Sequence, residues 1–97
     1  MVINILESGK TIGYMVKVYF NKEHIGTYYY TNGEIYYGDW IDGQKEGKGI
    51  HYYVNGDRFD GDWVDGKRHG KGVLYFENGG KYEGLWRNDE MTNEGNV

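Results

Sequence analysis

From residue 26 to residue 86, apolar and polar positions alternate in short runs that end at Asp-Gly or Asn-Gly pairs. The run Tyr36 to Ile41 sets Tyr36, Gly38 and Trp40 on one side and Tyr37, Asp39 and Ile41 on the other, because successive side chains of a strand point to opposite faces. The run Gly49 to Val54 separates Gly49, His51 and Tyr53 from Ile50, Tyr52 and Val54 in the same way. Asp42-Gly43, Asn55-Gly56, Asp65-Gly66 and Asn78-Gly79 separate these runs, and both residues of such a pair accept the positive φ that a two-residue hairpin turn requires. Alternation and turns together predict a series of antiparallel hairpins.

The hairpin unit recurs. Tyr36-x-Gly38-x-Trp40 reappears as Phe59-x-Gly61-x-Trp63 and as Tyr82-x-Gly84-x-Trp86, a step of 23 residues, and Gly47-x-Gly49 reappears as Gly70-x-Gly72. A fixed period of this size marks a repeat array. The expected division is a non-repeat capping hairpin over 1–25, then an array of a partial repeat (26–35), full repeats (36–58 and 59–81) and a truncated repeat (82–97). In the cap, Val2 to Leu6 and Thr11 to Phe20 flank a turn at Glu7 to Lys10, with Tyr14, Val16, Val18 and Phe20 on one side, and a second turn covers Asn21 to His24. Two strands per repeat at roughly 4.8 Å each advance the ribbon by about 10 Å per repeat. A Gly between Tyr and Trp reads as a slot in which a neighbouring ring lies flat on backbone. The expected aromatic face is therefore Tyr36, Trp40, Tyr53, Phe59, Trp63, Phe76, Tyr82 and Trp86.

These residues resemble the MORN repeat (membrane occupation and recognition nexus). The likeness is carried by Tyr36-Tyr37-Gly38-Asp39-Trp40-Ile41-Asp42-Gly43, by Gly47-Lys48-Gly49, and by the run from Phe59 through Asp65-Gly66 to Gly70-Lys71-Gly72, and it extends from about Gly26 to Trp86. It implies scaffold roles in cilia, flagella and other cytoskeletal structures, with membrane-contact proteins and regulatory domains of enzymes as other family settings. The fold class expected is all-β: a single-layer twisted antiparallel hairpin ribbon. The chain departs from the family pattern at His24, Asp89 and Asn93. With Asn96 standing where an apolar residue is expected, the hairpin partner of Tyr82 to Trp86 is expected to be missing. Trp86 would then be uncovered, and that edge would pair with another chain, either a second copy or a different subunit.

Composition narrows the picture. A mean hydropathy of −0.82 and 18% aromatics, with 11 Tyr against 3 Phe, describe half-exposed rings on a thin sheet rather than a thick aliphatic core. In 97 residues a compact core is small, so stability must come from stacking between repeats. The absence of Cys excludes a disulfide framework and thiolate metal sites. The net charge of −4 weighs against nucleic acid as a partner, since phosphate neutralisation supplies the affinity there. No apolar run reaches the roughly 18 residues of a membrane span, and Met1 to Leu6 is too short for a signal peptide, so a cytoplasmic, cytoskeleton- or cilium-associated location is expected.

Little in the chain suggests catalysis. His24, His51 and His69 occupy different repeat positions, so the 23-residue register does not bring them together as ligands or as acid and base. Asp39, Asp60 and Asp62 read as a solvated acidic row, and Gly47-Lys48-Gly49 lacks the residues of a nucleotide-binding turn. No enzyme activity and no cofactor or metal are expected. Lys45, Lys48, Lys67, Arg68, His69 and Lys71 fall in corresponding loops and are expected to line one edge, a candidate stripe for anionic lipid or phosphoprotein, although Asp42, Glu46 and Asp65 share those loops. Tyr29, Tyr52 and Tyr75 share the face opposite the Trp residues, either stacking to support the sheet or anchoring a partner helix or peptide. The function expected is a non-catalytic scaffold or adaptor that binds other subunits of an assembly, or itself through its C-terminal edge. An anionic-membrane targeting module and a regulatory domain of an enzyme are the alternatives.

Overall fold

A computed structural model describes the backbone of residues 2–7, 10–20 and 23–96 and the side chains of residues 24–95. Nine strands among these residues form one antiparallel sheet in chain order: β1 (Val2–Glu7), β2 (Lys10–Phe20), β3 (Glu23–Tyr30), β4 (Ile35–Ile41), β5 (Gln44–Tyr52), β6 (Arg58–Val64), β7 (Lys67–Tyr75), β8 (Lys81–Arg87) and β9 (Glu90–Asn96). Each strand bonds only to its predecessor and successor, and eight steps of about 4.8 Å account for the longest dimension of 39 Å. β3 runs across the boundary expected at residues 25 and 26, and the sheet is continuous through it. Ser8, Gly9, Asn21 and Lys22, expected in turns, lie outside the described residues, as do the side chains of Tyr14, Val16, Val18 and Phe20.

The two kinds of turn close differently. Asp42 and Gly43 take φ of 51° and 77°, and Asp65 and Gly66 take 50° and 80°, the paired left-handed conformation of a tight hairpin. At the other edge only the glycine of each Asn-Gly pair has positive φ, which corrects the expectation of two-residue turns there. Gly33 N–H reaches the Tyr30 carbonyl and Tyr30 N–H reaches the Glu34 carbonyl, a wider loop closed by a glycine bulge. Asn32 fixes it by accepting the Glu34 N–H at 3.0 Å, and Asn55 and Asn78 do the same for Asp57 and Gly80.

The second strand of each repeat begins at Gln44 or Lys67, not at Gly49 or Gly72. The residues expected in a loop instead form the strand's first half, joined through a bulge at which the register slips between Gly38 and Trp40, and again between Gly61 and Trp63. Asp39 and Asp62 hold these bulges: their carboxylates accept the N–H groups of Lys48 at 3.1 Å and Lys71 at 3.2 Å. Half-buried and bonded to backbone, these two aspartates are not the solvated row that alternation suggested, whereas Asp60 is exposed.

The expectation of a missing hairpin partner after Trp86 is also overturned. β9 pairs with β8, Gly84 opposite Gly95 and Trp86 opposite Met91. Asn88 and Asp89 turn the chain at φ of 48° and 73°, since Asn and Asp tolerate the left-handed region that Gly occupies in the other repeats. Leu85 stands at the position of Asp39 and Asp62, so the bulge needs another acceptor. Thr92 supplies it: its hydroxyl accepts the Glu94 N–H at 3.1 Å and donates to the Leu85 carbonyl at 2.9 Å.

A row of glycines crosses the sheet: Gly26, Gly38, Gly49, Gly61, Gly72, Gly84 and Gly95 pair in turn from β3 to β9. The rings of Tyr36, Phe59 and Tyr82 fold onto this row from their own hairpins. A Cβ at Gly49 would come within 2.1 Å of the Tyr36 hydroxyl, and one at Gly72 within 2.3 Å of the Phe59 ring. Each Trp then reaches back one repeat: the indole N–H groups of Trp40, Trp63 and Trp86 donate to the Gly26, Gly49 and Gly72 carbonyls at 3.1, 3.0 and 3.2 Å. The rings alternate edge to face as Trp40, Tyr36, Trp63, Phe59, Trp86 and Tyr82, with centroids 5.0 to 5.4 Å apart. Trp86, at 3% exposure, is as buried as Trp63.

Replacing Trp63 by Ala removes a ring shared by two repeats and should cost about 3–5 kcal/mol. Gly72→Ala drives a methyl into the Phe59 ring and should cost about 1–3 kcal/mol. Urea titrations of both variants measure this directly; a midpoint unchanged in either would remove the aromatic column as the source of stability.

Candidate functional site

The six basic or ambivalent side chains expected along one edge do not stay together. Lys45 and Arg68 turn onto the Trp face, where the Lys45 ammonium lies 4.5 Å from the Trp63 ring centroid and the Arg68 guanidinium 4.6 Å from that of Trp86. Lys48 and Lys71 are exposed on the other face, Lys48 paired with Asp62, and Lys67 is exposed beside the turn. His69 is half-buried, and its Nδ1 accepts the Asn88 N–H at 3.3 Å, a structural link between successive turns. The split follows once these residues are strand and not loop, because Lys45 and Lys48 are three apart and an odd separation puts side chains on opposite faces.

The expected aromatic face is found on one side of the sheet. Tyr36, Trp40, Phe59, Trp63, Tyr82 and Trp86 are buried, and Tyr53 and Phe76 pack against them half-buried. Tyr28 and Leu74 join the core, and so does His51, only 4% exposed. Positions 28, 51 and 74 are one slot of the repeat, holding Tyr, His and Leu. A histidine in a slot otherwise apolar is the sequence signal of its burial, a signal carried by the repeat position and not by any relation among the three histidines.

His51 is held from several sides. Its Nε2 pairs with Glu34 at 3.0 Å, and the other Glu34 oxygen accepts the Val54 N–H at 3.1 Å. Its ring stacks on Tyr53 at 4.4 Å, while Nδ1 is buried without a hydrogen-bond partner among the described residues. Burial pushes the His51 pKa below its usual 6.5; the Glu34 hydrogen bond opposes the shift without cancelling it, and the charges of Lys45 and Arg68 reinforce it. Burial also lowers Lys45 from 10.5 and pushes the Tyr30 hydroxyl up to about 12. Glu34 is raised by burial, yet the hydrogen bonds from His51 and Val54 outweigh that, and its pKa falls below 4.5. These groups line one pocket on the Trp face, with Gly66, Arg68 and Asp89. Among the described residues no group of three His, Asp or Glu side chains is arranged to hold a metal ion.

The opposite face is open. Tyr29, Tyr52 and Tyr75 lie on it, but they do not form a direct stack: Ile35 separates Tyr29 from Tyr52, and Arg58 separates Tyr52 from Tyr75 with its guanidinium 4.2 Å from the Tyr75 ring centroid. Tyr52 is 44% exposed, whereas Tyr29 and Tyr75 are half-buried. Tyr37, Ile41 and Val64 share this face and are exposed, Val54 is exposed in the turn after β5, and a shallow trough over the glycine row runs past Tyr37, Ile50, Lys48, Asp60 and Val73.

Because the folded state disfavours protonated His51, the unfolded chain binds more protons as the pH falls through 6.5, and stability drops with it. The same window should be nearly flat for His51→Leu, the residue found in the slot at position 74. The difference between the two urea-unfolding free energies should fall by at most about 1.4 kcal/mol per pH unit below 6.5. Parallel pH profiles for the two proteins would contradict the burial of a neutral His51.

The geometry agrees with comparison to known proteins. The profile of the MORN repeat matches residues 36–58, 59–81 and 82–95, three consecutive units that coincide with the three Trp-bearing hairpins. No curated protein matches the chain significantly. With matches over more than half of its length, this chain belongs to the MORN repeat family, whose repeats are non-catalytic modules of protein or membrane interaction.

Proposed function

We propose that the chain is a non-catalytic interaction module that binds a protein partner across the open face of its sheet, as a subunit or adaptor of a larger assembly. The observation carrying this reading is the asymmetry of the two faces. One carries the buried Trp column; the other has no second layer and exposes Tyr37, Ile41, Tyr52 and Val64. Exposed rings and aliphatic side chains interspersed with charges such as Lys48, Asp60 and Lys71 have the mixed character of a protein contact. A cytoskeletal or ciliary setting is supported by family membership alone. Membrane targeting is less favoured, since Lys45 and Arg68 are withdrawn to the Trp face and the remaining cations are interleaved with Asp60 and Glu83.

The double variant Tyr37→Lys, Tyr52→Lys changes exposed positions only and should alter unfolding by no more than about 0.5 kcal/mol per site. It should lose the protein that photo-cross-links to a probe at position 50 in extracts of the native source. Retention of that cross-link would refute binding through this face. Flotation of the wild type with phosphoinositide vesicles at low salt, abolished by Lys48→Glu, Lys67→Glu and Lys71→Glu together, would favour the membrane reading instead.

A further inference from the structure

The internal repeat allows one hairpin to be read against the next. Arg68 and Lys45 occupy the same position one repeat apart, and both lie over the Trp of the following hairpin. Around Arg68 the arrangement is complete: Asp89 accepts from Arg68 Nε at 3.4 Å and from Arg68 N–H at 2.8 Å, and its own N–H donates to the Arg68 carbonyl at 2.9 Å. The residue corresponding to Asp89 one repeat earlier is Gly66. Its N–H makes the same bond, to the Lys45 carbonyl at 3.0 Å, but it carries no carboxylate. Among the described residues no acidic side chain forms an ion pair with Lys45, whose ammonium is hydrogen-bonded to the Tyr30 hydroxyl at 3.4 Å and lies over the Trp63 ring. The two nearby acids are occupied, Glu34 by His51 and Val54, Asp89 by Arg68. Burial lowers the affinity of this half-buried cation for a proton, and the Arg68 charge adds to the shift; the Asp89 and Glu34 carboxylates, each bonded elsewhere, oppose it without cancelling it.

We infer that the pocket between Lys45, Gly66 and Arg68 is a binding site for a carboxylate, supplied by an aspartate or glutamate side chain of a protein partner. The ligand group would take the place that the Asp89 carboxylate fills beside Arg68, accepting from the Lys45 ammonium with the Tyr30 hydroxyl and the Trp63 ring as walls. Charge-assisted pairing in a partly dry site is stronger than on an open surface, and the aromatic walls keep the ammonium from swinging out to water. The inference rests on the interaction-module reading only for the source of the carboxylate; the site lies on the Trp face, opposite the surface proposed above.

The test titrates the isotopically labelled, full-length chain with N-acetyl-glutamate amide while following the Trp63 indole and Lys45 side-chain resonances. Saturable shifts at millimolar concentration are expected, with none from N-acetyl-glutamine amide. Two variants should abolish them. Lys45→Met installs the residue that stands at the matching position 91. Gly66→Asp installs the internal counter-ion: Asp89 already tolerates φ of 73° where Gly66 has 80°, and the added Cβ meets only the mobile end of Gln44 at 3.0 Å. Gly66→Asp should also raise the Lys45 pKa. No saturable shift in the wild type, an undiminished shift in Gly66→Asp or Lys45→Met, or a stronger response at the same resonances to inorganic phosphate would each overturn the proposal. Tyr37→Lys with Tyr52→Lys should leave this titration unchanged, so failure of the open-face reading and failure of this one are separately visible.

Discussion

Everything in this sheet depends on an aromatic ring being able to lie on bare backbone. A single antiparallel layer has no second sheet to bury its side chains against, so the ring must find its cover within the layer. The paired glycines provide it. Tyr36, Phe59 and Tyr82 fold across Gly49, Gly72 and Gly95, and each following Trp closes over the edge of the ring and bonds to the glycine carbonyl beneath. The hydrogen bond matters as much as the burial, because an indole N–H sealed in a dry face would otherwise go unpaired. One carbonyl thus serves two demands, and it joins a repeat only to the one before it.

The edges are stitched by the same logic. Asp57 accepts the Glu77 N–H at 2.9 Å and Glu34 the Val54 N–H at 3.1 Å, so the wide turns on one side hold each other. On the other side Glu46 accepts the Asp65 N–H at 2.8 Å, and His69 serves Asn88. Polar residues that look like solvated surface in the sequence are therefore connectors, and the column of rings is flanked by two rows of short-range bonds.

What was legible in the sequence is what the period carries: the hairpins, the tight Asp-Gly turns, the aromatic face and the family. Those follow from alternation and from residues whose backbone demands are unambiguous. The bulges were not legible, because Gly47 and Gly70 signal an irregularity without fixing its register, and with them went the true start of β5 and β7 and the facing of Lys45 against Lys48. β9 was missed for a different reason: Asn88-Asp89 and Thr92 do by side-chain tolerance and hydroxyl bonding what Gly and Asp do elsewhere. The pocket around Lys45 was hidden because its meaning lies in a difference between repeats, a carboxylate at 89 and none at 66, while pattern matching rewards likeness.

The strictly sequential strand order has a mechanical side. With β1 and β9 at opposite ends of the sheet, tension applied between them loads the ladder one strand at a time, so hairpins peel in succession and the resisting force is that of a few bonds. Tension applied along the strands, between the Asp-Gly edge and the Asn-Gly edge, instead loads many backbone bonds in parallel and meets a far stiffer body. A ribbon of this kind is compliant along its length and rigid across its width.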